Sequence, residues 1–133
     1  YLDVRAAAAS LGSRVRLLGR VADDLLPALY SGAYWYLHPA LAEGFGFPVL
    51  EAMGCGAPVM CSDLPVLRDT TQNGAVYFDP TQEESMASTL LQALNDQPLR
   101  QAVIERGLRR ARYFTWDRAA ERMLKIYTQA REA

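Results

Sequence analysis

The sequence predicts an α/β protein built on a parallel, doubly wound sheet. Short apolar runs alternate with longer amphipathic stretches, which is the rhythm of strands joined by crossover helices. The runs are short and apolar, that at 34–37 being aromatic and aliphatic, and glycine or proline punctuates several of their ends. No internal repeat or low-complexity tract breaks the pattern.

The elements follow in order. Residues 2–11 read as the tail of an alanine-rich helix ended by Gly12. Residues 15–18 (Val-Arg-Leu-Leu) predict a first strand stopped by Gly19. Asp23 is placed to cap a helix over 24–31, with Leu25, Leu26, Leu29 and Tyr30 as its apolar face. Residues 34–37 predict a second strand, 57–61 a third and 75–78 a fourth. Between the second and third, Pro48 suits the first position of a short helix over 49–54. Thr81 with Glu84 has the spacing of a capping box before a helix carrying Met86, Ala87, Leu90, Leu91 and Leu94. Pro98 opens a helix to about residue 112 with an arginine-rich side. Thr115 caps a last helix with Trp116, Ala119, Ala120, Met123, Leu124 and Tyr127 at helical spacing.

Composition removes several functions. Fifteen acids against 14 bases give a net charge of −1, which argues against a nucleic-acid binder held by phosphate neutralisation, a mode that needs a basic face. Lys125 is the only lysine and follows no glycine, which excludes a P-loop. His38 is the only histidine, so no two-histidine metal site exists and no metal is expected. Cys55 and Cys61 lack the paired spacing of a zinc site and read as free thiols of a reducing, cytoplasmic setting. No stretch approaches the length of a spanning helix. The chain opens without Met, which predicts a segment of something longer.

Chemistry concentrates in residues 34–54, which run strand, glycine-rich turn, helix start. Ligands of open α/β sheets bind outside the carboxyl ends of the strands. Helix N-termini attract phosphate through free N–H groups and a partial positive charge. Gly44 and Gly46 allow close backbone approach, and Glu43 and Glu51 can accept hydrogen bonds from sugar hydroxyls. This reads as an anion or nucleotide site. The alternative is a tight strand–helix turn whose glycines serve packing, with Glu51 merely complementing the helix dipole.

The stretch from His38 to Val59, with its Glu43-Gly-Phe-Gly-Phe-Pro48 core and Glu51 eight residues after Glu43, resembles the donor-site motif of family 4 retaining glycosyltransferases of the GT-B fold. Leu18-Gly19-Arg20-Val21, Ser62-Asp63-Leu64-Pro65, Tyr77-Phe78-Asp79-Pro80 and Phe114-Thr115-Trp116-Asp117 continue it over most of the chain. The resemblance implies a Rossmann-like, partial C-terminal half of a GT-B fold, residues 1–133 forming one incomplete domain. It implies a nucleotide-diphosphate sugar as donor substrate, no cofactor and no metal. Glu43, the catalytic position, and the amides of Gly44, Phe45, Gly46 and Phe47 would hold the transferred sugar and distal phosphate. The amides of Val49 and Leu50 would face the pyrophosphate, and Glu51 the ribose. Gly19, Arg20 and Val21 would line the base pocket. A hexosyl group would pass to a saccharide or lipid-linked acceptor, as in polysaccharide biosynthesis.

Departures from the family pattern matter as well. The opening strand and its Gly-Arg and Lys-Gly segment, which neutralise the diphosphate, do not occur, and neither does the acceptor-binding N-terminal domain. Asp69 stands where relatives often carry glutamate. The chain alone is therefore expected to be inactive, with the alternative of a non-catalytic nucleotide-sugar-binding or assembly module. A sugar-nucleotide epimerase of the same fold is a further rival, but its motifs differ around the glutamates. A usual Rossmann strand order would leave a gap between residues 15–18 and 34–37, and its unpaired edges would promote self-association. His38 reads as structural or as lining the cleft, and Tyr34, Trp35 and Tyr36 as core and sheet-face residues. The arginines of 100–112 read as a solvated helix face, or alternatively as peripheral contact with anionic lipid. Trp116 and Tyr127 are expected to be partly exposed.

Overall fold

The computed structural model describes residues 2–132. Helix α1 (Leu2–Leu11) and a 3₁₀ turn (Gly12–Arg14) lead to an exposed, irregular stretch. A second 3₁₀ turn (Asp23–Leu25) enters α2 (Leu26–Gly32). Then come β1 (Tyr36–His38), α3 (Phe47–Gly54), β2 (Val59–Ser62), α4 (Pro65–Thr71) and β3 (Ala75–Phe78). Helices α5 (Glu83–Leu94), α6 (Gln97–Ala111) and α7 (Trp116–Glu132) complete the chain.

The three strands lie in the order β1-β2-β3, all parallel, with Tyr36 opposite Val59 and Cys61 opposite Tyr77. Strand alternation splits the core into two layers. Val59 and Cys61 face Val49, Ala52, Met53 and Leu67 from α3 and α4. Met60 faces the other way, onto Trp35, Phe78, Ala93 and Val103. This is the doubly wound α/β arrangement expected. Val49, Ala52 and Met53 are buried because their spacing puts them on one face of α3. Helix α6 reaches both layers: Val103 enters the second, and Gly107 lies against Met53 of the first. A Cβ on Gly74 would stand 2.4 Å from Met53 Cε and 3.2 Å from the Gly107 backbone, so this crossing is close because both positions are glycine.

Several expectations are corrected. Residues 15–18 form no strand; Leu17 and Leu18 are 48% and 53% exposed. A strand exists only where a neighbour completes its ladder, and among the described residues β1 pairs with β2 alone. The sheet therefore holds three of the four expected strands, and the edge of β1 away from β2 is open among the described residues. Strand β1 runs Tyr36–His38 rather than 34–37: Trp35 is buried, but Tyr34 is exposed, its hydroxyl on the Leu94 carbonyl and its ring under Arg100. No capping box forms at α5. Thr81 turns back, its amide and hydroxyl both donating to the Asp79 carboxylate at 2.8 and 2.7 Å. Asp23 opens a 3₁₀ turn instead of capping a helix by its side chain. Asp96, not singled out in the sequence, caps α6 through the Leu99 amide at 2.8 Å. The segment after Ser62 supplies an unforeseen helix, α4. Thr115 caps α7 as expected, accepting from the Arg118 amide at 3.3 Å. Trp116 is 86% exposed and Tyr127 65%.

Candidate functional site

Strand β1 ends at His38, and the chain then turns through residues 39–46 into α3. Gly46 is the N-cap of α3 with φ of 91°, a left-handed conformation open to glycine. The constraint is also steric, since a Cβ there would lie 2.6 Å from Leu67 Cδ2. The turn is tied down on its other side by Thr70, whose hydroxyl donates to the Phe45 carbonyl at 2.8 Å. The Phe45 ring packs on Phe47 at 4.8 Å and edge-on to Phe114 at 5.6 Å.

Glu43 sits at the centre of this turn. One carboxylate oxygen accepts the Gly44 amide at 2.9 Å and the Phe45 amide at 3.5 Å. The other lies 3.1 Å from His38 Nε2, and His38 Nδ1 lies 3.3 Å from the Tyr36 hydroxyl. A carboxylate only accepts, so Nε2–H donates to Glu43, and in the neutral ring Nδ1 then accepts from the Tyr36 hydroxyl. The His38 hydrogen bond, followed by the Gly44 amide, holds the Glu43 carboxyl below its ordinary pKa. Burial pushes the Tyr36 hydroxyl far up, with the Tyr30 hydroxyl and the two glutamates adding to it, so it stays protonated.

Glu51 lies on α3, exposed, and takes the Tyr30 hydroxyl on one carboxylate oxygen at 3.2 Å. Desolvation first, then the Glu51 charge, raises the Tyr30 pKa, which keeps that donor protonated. Tyr30 stands edge-on to Tyr36, with ring centroids 5.2 Å apart. The Tyr30–Tyr36 contact thus joins the two arms, Tyr36–His38–Glu43 and Tyr30–Glu51.

The other site residues are placed less closely. The amides of Val49 and Leu50 both donate to the Gly46 carbonyl, at 3.0 and 3.1 Å, so each already has a helical acceptor. Gly19 has φ of 66°, Arg20 is exposed and Val21 half-buried, in the irregular stretch before α2. Sequence reasoning missed the tyrosines as site residues. Their aromatic character fitted a core reading, and only the hydroxyls' partners distinguish the two roles. Asp63 and Arg68 also pair through both carboxylate oxygens, with the Arg68 guanidinium 4.3 Å over the Tyr77 ring.

The arrangement presents two carboxylates, a glycine turn and the N-terminal end of α3 at the end of β1. No group of three or more His, Cys, Asp or Glu side chains converges to hold a metal among the described residues. No helix among them is long and apolar enough to cross a membrane.

Comparison with known proteins bears on the chain's family and fold. Residues 1–110 match the family model described as glycosyl transferases group 1. The chain is 36% identical over 113 residues to O-antigen chain mannosyltransferase B of Escherichia coli, covering 85% of this chain and 30% of that protein. It is 36% identical to the D-inositol 3-phosphate glycosyltransferase of Salinispora tropica over 98% of its length and 27% of that protein. Among solved structures, sucrose-phosphate synthase from Thermosynechococcus elongatus superposes with a TM-score of 0.83 at 26% identity, over 97% of this chain and 33% of that one. Anabaena HepE, in complex with UDP and glucose, shares the fold with a TM-score of 0.81 at 21% identity, over 96% and 35%. The chain spans about 30% of the length of these curated relatives.

Proposed function

This chain belongs to the group 1 glycosyltransferases, and from that premise we propose that it is the donor-binding part of a retaining enzyme that takes a hexosyl group from a nucleotide-diphosphate sugar. One observation carries the reading: a glutamate carboxylate occupies the amides of a glycine turn beside the start of a helix. Two amides converging on a carboxylate oxygen suit a phosphate oxygen equally well. The incoming distal phosphate takes the amides of Gly44 and Phe45, and Glu43, released from them but still held by His38, turns to the sugar hydroxyls.

The diphosphate lies toward the start of α3, where the helix dipole favours negative charge. As the sugar leaves, charge develops on this diphosphate, and prearranged amides stabilise it without reorganising. The intrahelical bonds of Val49 and Leu50 make them weaker partners than Gly44 to Phe47. Glu51 accepts the ribose hydroxyls on the oxygen not taken by Tyr30. Gly19, Arg20 and Val21 border the base. The acceptor, a saccharide or a lipid-linked one, is held by a part of the enzyme outside this chain, and the isolated chain does not complete transfer.

The test is calorimetric titration of UDP and GDP into wild-type chain and Glu51→Ala. The reading expects the variant to bind about 5- to 30-fold more weakly, the loss of one or two hydrogen bonds to a charged acceptor. Equal affinity in the two proteins overturns the ribose assignment.

A further inference from the structure

We propose that a second, separate cleft, between residues 71–74 and α6, binds a phosphate-bearing anion. The cleft encloses about 420 Å³ and is lined by Gln72, Asn73, Arg106, Arg109, Arg110 and Tyr113 among others. Residues 71–74 enter β3 at its N-terminal end, whereas the donor turn leaves β1 at its C-terminal end. In a parallel sheet these ends are opposite.

Arg106, Arg109 and Arg110 share one face of α6 by their spacing of three and four. Like charges so placed repel; neither the His38–Glu43 nor the Asp63–Arg68 pair involves them, and Glu105, one turn before Arg109, accepts from the Gln101 amide at 3.1 Å. The wider segment 97–122 holds seven arginines against three carboxylates, in a chain whose net charge is −1. The excess is therefore local.

Two of the guanidiniums, those of Arg106 and Arg110, are also held in place. Arg110 donates to the carbonyls of Thr70 and Asp69, both at 2.8 Å, and stacks over Phe114 at 4.6 Å and Tyr113 at 4.9 Å. Arg106 is anchored through its Nε on the Ala102 carbonyl at 3.1 Å. Each guanidinium carries five donors, so several remain for a ligand. Opposite them, Gln72 holds φ of 51°, a conformation uncommon for a residue with a side chain. It is kept there by the Tyr77 hydroxyl on its carbonyl and by its amide on the Arg68 carbonyl at 2.7 Å. Strain of this kind persists where the surroundings over-determine it, and it clusters at ligand sites. The result sets the amide side chains of Gln72 and Asn73 across a cleft from three cations. Planar forks suit the tetrahedral oxyanion of a phosphate, free or on a lipid headgroup.

The experiment is an ¹H–¹⁵N titration of the full chain with inorganic phosphate, following the Gln72–Gly74 amides and the arginine Nε signals. Saturable shifts are expected, weakened about tenfold or more in R106Q/R109Q and only partly recovered in R106K/R109K, which restores the charge but not the planar fork. Should the double variant lose spectral dispersion, R109Q alone, at an exposed position, is read in its place. Shifts that grow linearly without saturating, or that are equal in wild type and variant, overturn the proposal. Flotation with vesicles of phosphatidylcholine and phosphatidylglycerol then identifies the source. Arginine-dependent flotation assigns a lipid headgroup, and saturable phosphate binding without flotation assigns a soluble phosphate.

Discussion

His38 Nε2 lies 3.1 Å from a carboxylate oxygen of Glu43, closing a relay that begins at the Tyr36 hydroxyl. The contact joins the last residue of β1 to the turn that follows it, so the sheet itself orients the carboxylate. Its consequences are measurable.

The Glu43 carboxyl titrates below the ordinary glutamate value of 4.5 because His38, then the Gly44 amide, bonds its charged form. A depressed folded pKa contributes stability that is complete above the unfolded value. That contribution is lost as pH falls through the folded one. Carbon-detected NMR of the side chain should find the midpoint below 4.5, and His38→Ala should raise it. An unmoved midpoint in the variant contradicts the relay.

Tyr30→Phe removes the donor to Glu51 while keeping the ring edge-on to Tyr36. One neutral-to-charged hydrogen bond lost from an exposed pair orients Glu51 less well. Nucleoside diphosphate affinity should fall about two- to fivefold, less than for Glu51→Ala. Isothermal titration of the two variants side by side checks the order, which would be reversed if Tyr30 acted independently of Glu51.

Gly46→Ala places a Cβ 2.6 Å from Leu67 Cδ2 at a left-handed φ, and Gly74→Ala places one against Met53 and 3.0 Å from the Thr71 carbonyl. Each should cost about 1–3 kcal/mol of stability, Gly46→Ala by overpacking and backbone strain and Gly74→Ala by overpacking alone. Gly107→Ala, whose Cβ would meet Met53 Cγ at 3.4 Å, should cost less, since alanine also favours the helix. Urea unfolding of the three variants supplies the ranking.

Burial lifts the Cys61 thiol to about 12, whereas Cys55 is half-buried. A thiol-specific disulfide reagent at neutral pH should modify one cysteine in the native chain and two after unfolding. Fast native labelling of both would contradict the packing of β2.

Incubation of the isolated chain with nucleotide sugars and sugar acceptors should yield no transfer product above the uncatalysed background. The acceptor-holding part of the enzyme is proposed to lie outside these residues. Appreciable transfer by the chain alone overturns that division of labour.

The strand–glycine turn–helix order was legible because glycine freedom and helix starts are local properties. Residues 15–18 were misread for the same reason. Alternating Val-Arg-Leu-Leu satisfies a strand's local preferences, but a strand needs a partner that no local pattern supplies. The Thr81–Glu84 spacing likewise competed with Asp79, two residues upstream, which took the threonine's amide and hydroxyl first.

The sequence by itself determined the α/β class, the spacing of Glu43 and Glu51 around a Gly-x-Gly turn, and the lack of a P-loop lysine. All of these depend on residue identity within one or two turns of chain. Only the tertiary structure decided that Tyr30, 21 residues before Glu51, holds that carboxylate, and that Thr70, 25 residues after Phe45, anchors the turn. It alone brought three arginines of α6 to face residues 71–74. Periodicity assigns a side chain to a face; which distant group it meets there depends on how the layers cross, here over Gly74 and Gly107.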